Sequence, residues 1–371
     1  MDEFRTRIRT WLAEHLDPAL KGLGGPGREH EAFDERRAWE RKLGAAGWNG
    51  LGWPVEHGGR GATIEQQVAF HEEYARADAP ARVSHLGQEL LGPTLIEFGT
   101  EAQQRRFLPK ILSVDELWCQ GYSEPGAGSD LASVATKARL QDDEWVITGQ
   151  KVWTSLAQVA DWCFALVRTE PDSKRHHGLS FLLVPMRQDG VEVRPIRQLT
   201  GTAEFNEVFF TEARTAKDLV VGAPGDGWRV AMGLLGFERD VATLGQQAGF
   251  RRELEAITEL AETSGAARDP HVAEAIARAW VGLEVMHAHA LRAPGGPGAA
   301  SVAKLVWAGW HRKLGELAML VRGAAGLVAT EDRWQRLFLF SRADTIYGGS
   351  DEIQRTVIAE RVLGLPREAR P

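Results

Sequence analysis

The 371-residue sequence predicts an α+β multidomain protein whose parts follow in the order helices, strands, helices. Helical periodicity dominates residues 1–117. Short segments rich in β-branched and aromatic residues, divided by Gly, Pro, Asp and Asn, fill 118–221. Long helical patterns then resume over 222–371. A doubly wound fold needs strands and helices to alternate, and here they do not.

In the first part, Phe4, Ile8, Trp11, Leu12 and Leu16 recur at helical spacing and form one apolar stripe. Thr63 with Gln66, and Thr100 with Gln103, have the spacing of reciprocal capping boxes and open two further helices. Glycine-rich stretches at 22–27 and 58–61 mark turns. In the second part, strands are expected at 144–148, 162–168, 180–185, 191–196 and 207–211. The 191–196 segment alternates and carries Pro195, the pattern of an edge strand. After the glycines of 222–227, helices are expected at about 228–263, 271–292, 299–323 and 331–362, with a loop at 294–298. Four helices suit a bundle.

Hydrophobic residues make up 43% of the chain and charged residues 26%, enough apolar surface for a sizeable core. A net charge of −7 gives the whole chain no attraction to nucleic acid or anionic membrane. Cys119 and Cys163 form no disulfide framework and have no metal-ligand spacing around them, which points to a reducing compartment and no metal. The Met1-Asp2-Glu3-Phe4-Arg5 start has no apolar signal core, and the apolar runs at 162–167 and 179–185 are too short to span a bilayer. A soluble cytoplasmic protein is expected.

Four stretches carry candidate chemistry. Residues 121–130, Gly-Tyr-Ser-Glu-Pro-Gly-Ala-Gly-Ser-Asp, let a backbone approach a ligand and offer the Ser123 and Ser129 hydroxyls; composition alone favours an ordinary turn. No strand–helix unit with a G-x-G-x-x-G fingerprint accompanies them. Residues 149–155 set Trp153 beside Thr154 and Ser155, an indole and hydroxyls that suit a planar ring, although 13 tryptophans make a core role equally ready. Glu238-Arg239 interrupts a mostly apolar helical face shared by Trp228, Ala231, Leu235 and Ala242. Such a pair is either solvated or a charge with a task. Finally, Gly348-Gly349-Ser350-Asp351-Glu352 reads as a capped helix start with free N–H groups.

The order of these stretches resembles the acyl-CoA dehydrogenase family over nearly the whole chain. The match runs through 121–130, 149–162, 178–185, 204–210, 225–228, Glu238-Arg239 and 349–366. The resemblance implies an N-terminal helical domain at 1–117, a central β-barrel-like domain at 118–221 and a C-terminal four-helix bundle at 222–371. It implies an FAD-dependent oxidoreductase of fatty-acid or lipid metabolism that converts an acyl-CoA to the enoyl-CoA. Reduction of an electron-transfer flavoprotein follows from the same resemblance.

By that resemblance, Tyr122, Ser123, Gly128 and Ser129 line the flavin and the pantetheine arm, and Trp153 and Ser155 contact the isoalloxazine. Ser350 and Glu352 lie near the flavin, and Arg239 faces the acyl-CoA. Many members carry a catalytic glutamate where this chain has Gly348. A branch of the family carries it instead before an arginine on the first helix of the last domain, which makes Glu238 the expected base. Gly348 keeps a backbone N–H for the thioester oxygen.

Family homotetramers often hold the FAD adenine end with an Arg-x-x-Phe-Gly segment and a Gln before Gly-Gly. Here those stretches read Gly-Ala-Ala-Arg-Asp-Pro at 265–270 and Leu-Val-Arg-Gly-Ala-Ala at 320–325. Such sequences resemble actinobacterial-type members, some of which share flavin sites between unlike chains. A homo-oligomer (dimer or tetramer) and a heteromer with a related chain are both expectations, as is an oxidase on the same fold. The loss of a carboxylate at 348 suggests room for bulky or branched acyl groups, a steroid side chain among them.

Overall fold

In the computed structural model the structure describes the whole chain except residues 241, 293–297, 329–331 and 368–371; at 238–240, 242–245 and 291–292 it describes backbone alone. Residues 1–70 with 76–238 form one compact unit, and 71–75 with 239–371 form another.

The first unit opens with α1 (Asp2–His15), whose stripe buries Ile8 and Leu12 and sets Trp11 against Trp39 at 5.4 Å. Next come α2 (Phe33–Ala45) and α3 (Ile64–Arg76), a π-turn at Leu86–Leu91, α4 (Gly92–Phe98) and α5 (Glu101–Leu112). Both capping boxes form. Thr63 N donates to Gln66 Oε1 at 3.0 Å while Gln66 N donates to Thr63 Oγ1 at 3.3 Å. Thr100 and Gln103 repeat the exchange at 3.1 and 3.2 Å.

One mixed sheet follows: β1 (Trp118–Gly121), β2 (Lys137–Gln141), β3 (Glu144–Ser155), β4 (Trp162–Arg168), β5 (Leu179–Pro185), β6 (Val191–Ile196), β7 (Phe205–Ala216) and β8 (Val220–Val221). The strand order is β6-β7-β3-β2-β4-β5-β8, with β1 parallel to β4. β6 lies at one end of that order, as its Pro195 requires. β4 and β5 are buried along nearly their whole length because both faces are covered. On one face Phe164, Leu166, Phe181 and Leu183 pack with Leu91, Leu95, Phe107 and Leu108 of the helices. On the other, Cys163, Ala165, Val167, Leu182 and Val184 pack with Ile147 of β3 and with Val208 and Phe210 of β7, so strands that are not adjacent in the order share a second core.

The sequence missed β1, β2 and the two-residue β8. β2 carries a single buried residue, Ala138, and gives no apolar run to detect. It also stopped β3 at 148, because Gly149 reads as a breaker; the strand continues through Gly149, where a Cβ would meet Thr136 at 2.5 Å.

α6 (Gly227–Asp240) buries Val230, Ala231 and Leu234 in the first core. The second unit contains α7 (Ala242–Ser264), α8 (Pro270–Arg292), α9 (Ala299–Arg322), α10 (Arg333–Phe340) and α11 (Asp351–Val357), the last continuing as a π-turn at Ile358–Val362. Phe250, Leu254, Ile257, Leu283, Trp307 and Leu314 are among its core residues. The expected helix at 331–362 is therefore two helices. A 3₁₀ turn at Ala343–Thr345 and the left-handed Gly348 and Gly349, with φ of 62° and 86°, separate them. The expected loop at 294–298 lies outside the described residues except for Gly298, which precedes α9. Among the described residues, no helix is long and apolar enough to cross a membrane.

Candidate functional site

The 121–130 stretch is a built turn. Glu124 and Ala127 exchange two backbone hydrogen bonds of 3.0 Å across Pro125-Gly126, and two further bonds dock the turn on β3. Val152 N donates to Ser123 O at 2.9 Å, and Lys151 Nζ donates to Tyr122 O at 3.1 Å. The two candidate stretches of the β region thus meet through main chain.

Sequence reasoning overlooked the pair that fastens them. Glu124 and Lys151 are buried, with Nζ 2.7 Å from Oε1. Glu124 also accepts from Ala135 N at 2.6 Å and Thr136 N at 3.0 Å, while Lys151 donates to Leu166 O at 2.6 Å. Burial pushes the Glu124 carboxyl up, but Lys151 and the N–H donors outweigh it and hold the group below its ordinary value. Burial lowers the Lys151 ammonium, and Glu124 opposes this in part. β3 holds other polar residues beside Lys151, and Glu124 lies 27 residues earlier, so the sequence carried no signal that pairs them.

On β3 the ladder to β7 slips between Lys151 and Thr154. At that bulge Trp153 takes a left-handed φ of 60°, a costly conformation for a bulky residue, and its indole stands 58% exposed. Its ring is edge-on to Phe205 at 6.2 Å. Thr154 turns inward, fully buried, and its Oγ1 has no hydrogen-bond partner among the described residues. Ser155 is half-buried at the strand end. Tyr122 is buried, with its ring edge-on to Phe164 and Phe181, each at 6.2 Å. Gly128 and Ser129 are exposed, and an added Cβ at Gly126 or Gly128 would meet nothing within 4 Å.

Arg168, at the end of β4, secures the neighbourhood. Its guanidinium donates to the carbonyls of Ala132, Val134, Ser173, Arg175 and His177 at 3.0–3.3 Å. This joins the segment after the Gly-rich turn to the loop between β4 and β5.

On α6, position 238 stands four residues after Leu234 and seven after Ala231, in register with the buried face. The side chains of Glu238 and Arg239 lie outside the described residues. In the second unit, Ser350 caps α11 by accepting from Ile353 N at 3.4 Å. Glu352 is exposed in the first turn, where a backbone N–H and Ser350 hold its carboxyl below the ordinary value. The Gly348 N–H donates to no described residue, and Gly348 O accepts from Gln354 Nε2 at 3.0 Å.

An open glycine turn beside an outward indole suits a planar ring system. On this ground the β region is a candidate surface for a redox cofactor.

Comparison with known proteins gives the class. Residues 1–115, 119–213 and 225–363 match, respectively, the N-terminal, middle and C-terminal domains of acyl-CoA dehydrogenase. The chain belongs to the acyl-CoA dehydrogenase family of flavoproteins and is an oxidoreductase. Its relatives include acyl-CoA dehydrogenase IpdE1 of Mycobacterium tuberculosis, 65% identical over 100% of this chain and 99% of the relative. The solved "Tcur3481-Tcur3483 steroid ACAD" is 30% identical, with a TM-score of 0.86 over 99% of this chain and 98% of that one. The ChsE4-ChsE5 complex of Mycobacterium tuberculosis is 31% identical, with a TM-score of 0.84 over the same shares.

Proposed function

We propose that this chain catalyses FAD-dependent α,β-dehydrogenation of an acyl-CoA thioester, with Glu238 as the base that removes the α-proton. The observation that carries the reading is a pair of complementary features. Position 348 is a glycine whose N–H donates to no described residue, and a glutamate precedes an arginine on α6.

Tyr122, Ser123, Gly128, Ser129, Trp153, Ser155, Ser350 and Glu352 are the residues proposed to hold the flavin, with Ser129 also beside the pantetheine arm. Bound flavin supplies the hydride acceptor. An α-proton of a thioester is weakly acidic, so the chain must polarise the carbonyl and exclude water. The Gly348 N–H would donate to the thioester oxygen and stabilise charge developing there. Desolvation by the acyl chain would raise Glu238 towards neutrality and match it to that proton. Arg239 is proposed to face the acyl-CoA. The electrons are proposed to pass to an electron-transfer flavoprotein. The solved steroid relative supports a bulky or branched acyl group, including a steroid side chain.

Kinetics of Glu238→Gln test the assignment. Turnover should fall by a factor on the order of 10² or more, with flavin and fold retained. Near-wild-type turnover would remove Glu238 from the role.

A second reading is favoured by two specific observations. The 265–270 and 320–325 stretches lack the adenine-end pattern, and a relative of similar fold is solved as a complex of two differently named chains. On this reading the chain completes its flavin site only with an unlike partner.

A further inference from the structure

Close to Gly348 in sequence, the second unit contains a group of four charges. His311 on α9 is buried, with Nδ1 2.5 Å from Asp344 Oδ2 and Nε2 2.9 Å from Glu253 Oε2. Ionised carboxylates only accept, so a ring bonded to both donates from both nitrogens and is an imidazolium. Phe250 stacks on it at 4.3 Å. Asp344 is fully buried; its Oδ1 accepts from the Tyr347 hydroxyl at 2.5 Å, and its backbone O accepts from Lys304 Nζ. Lys304 is also buried and lies 4.0 Å from the centre of the Trp307 ring and 4.8 Å from that of Tyr347. Two cations thus balance two anions.

The arrangement ends at one peptide bond. Tyr347 is held through its hydroxyl by Asp344 and directly precedes Gly348, whose carbonyl is held by Gln354. Between those two anchors is the Gly348 N–H, which has no partner among the described residues. His311, Lys304 and Asp344 are buried and Glu253 is partly exposed, and an apolar core of equal volume would serve stability as well.

We propose that His311 is a positioning residue: by fixing Asp344, and through it Tyr347, it holds the Gly348 N–H in the orientation that polarises the thioester carbonyl. The inference rests on the dehydrogenase reading above, which assigns that N–H to the thioester oxygen.

The test uses the flavin-loaded assembly and two variants, His311→Gln and Tyr347→Phe. The carbonyl stretch of a bound enoyl-CoA, ¹³C-labelled at the thioester carbon, is read by difference infrared spectroscopy alongside kcat and KM. In the wild type the stretch should move to lower frequency on binding. Each variant should lose part of that movement, with kcat reduced about tenfold or more, KM within about twofold and flavin content unchanged. Tyr347→Phe removes one oxygen from a partly exposed side chain, and it decides the matter if His311→Gln does not assemble. Variants with the full carbonyl movement and wild-type kcat would overturn the proposal and leave the quartet a packing feature. Absence of any movement in the wild type would overturn the assignment of the Gly348 N–H as well, a failure separable from the first because it appears before any substitution.

Discussion

Lys151 Nζ lies 2.7 Å from Glu124 Oε1, with both side chains buried, and this pair joins the Gly-rich turn to the strand that bears Trp153. Each partner has further backbone partners, so neither charge is left dependent on the other alone. Lys151→Met should cost about 3–5 kcal/mol, because Glu124 would stay buried without its cation. Adding Glu124→Gln should recover part of that loss. Denaturant titration of wild type and the two variants checks this, and a Lys151→Met variant within about 1 kcal/mol of wild type would contradict it.

Trp153 offers a separation of stability from binding. Its left-handed backbone suits glycine, so Trp153→Gly should stabilise the flavin-free chain by about 1 kcal/mol. The same change removes the exposed indole and should weaken flavin binding by roughly tenfold. Thermal melts and flavin titration measure the two effects. Unchanged flavin affinity would place the cofactor elsewhere.

His311 makes stability depend on alkaline pH. Burial lowers its pKa, but Glu253 and Asp344 outweigh this and set it at about 10, above the ordinary imidazole value of 6.5. Lys304, bonded to the Asp344 carbonyl, is the other cation of the group. A raised folded pKa means the contribution is complete below about pH 6.5 and is lost as pH rises through about 10. Melting temperature should therefore fall more steeply between pH 8 and about 10.5 in wild type than in His311→Gln. Parallel slopes would show that the ring does not titrate as described.

Flavin stoichiometry separates the two assemblies. About one FAD per chain purified alone would support a self-complete homo-oligomer. Little flavin, restored only by a related second chain, would support the heteromer. The visible absorption spectrum is sufficient to decide.

Much of the fold was legible because its signals are local. The Thr63 and Thr100 boxes need only the residue three positions on, and β4 and β6 begin and end where their sequences change character. β2 escaped because an exposed strand pairs through backbone, which leaves no mark in side-chain pattern. Within the site, Trp153 was legible by type and by neighbours. Its outward turn was not, since a bulge arises from pairing with a strand more than fifty residues away. Lys151, Glu124 and His311 were likewise invisible as partners. Their meaning lies in contacts across 27, 33 and 58 residues, and no periodicity encodes those.

Arg168 grips five carbonyl oxygens, and carbonyls are the same whatever side chain stands above them. The loop it ties down can therefore change identity at Lys174, Arg175, His176 and His177 and keep its anchor. That uncouples shape from surface chemistry. The β4–β5 loop is an evolvable panel on a fixed frame, and a place to graft new recognition without redesigning the sheet beneath it.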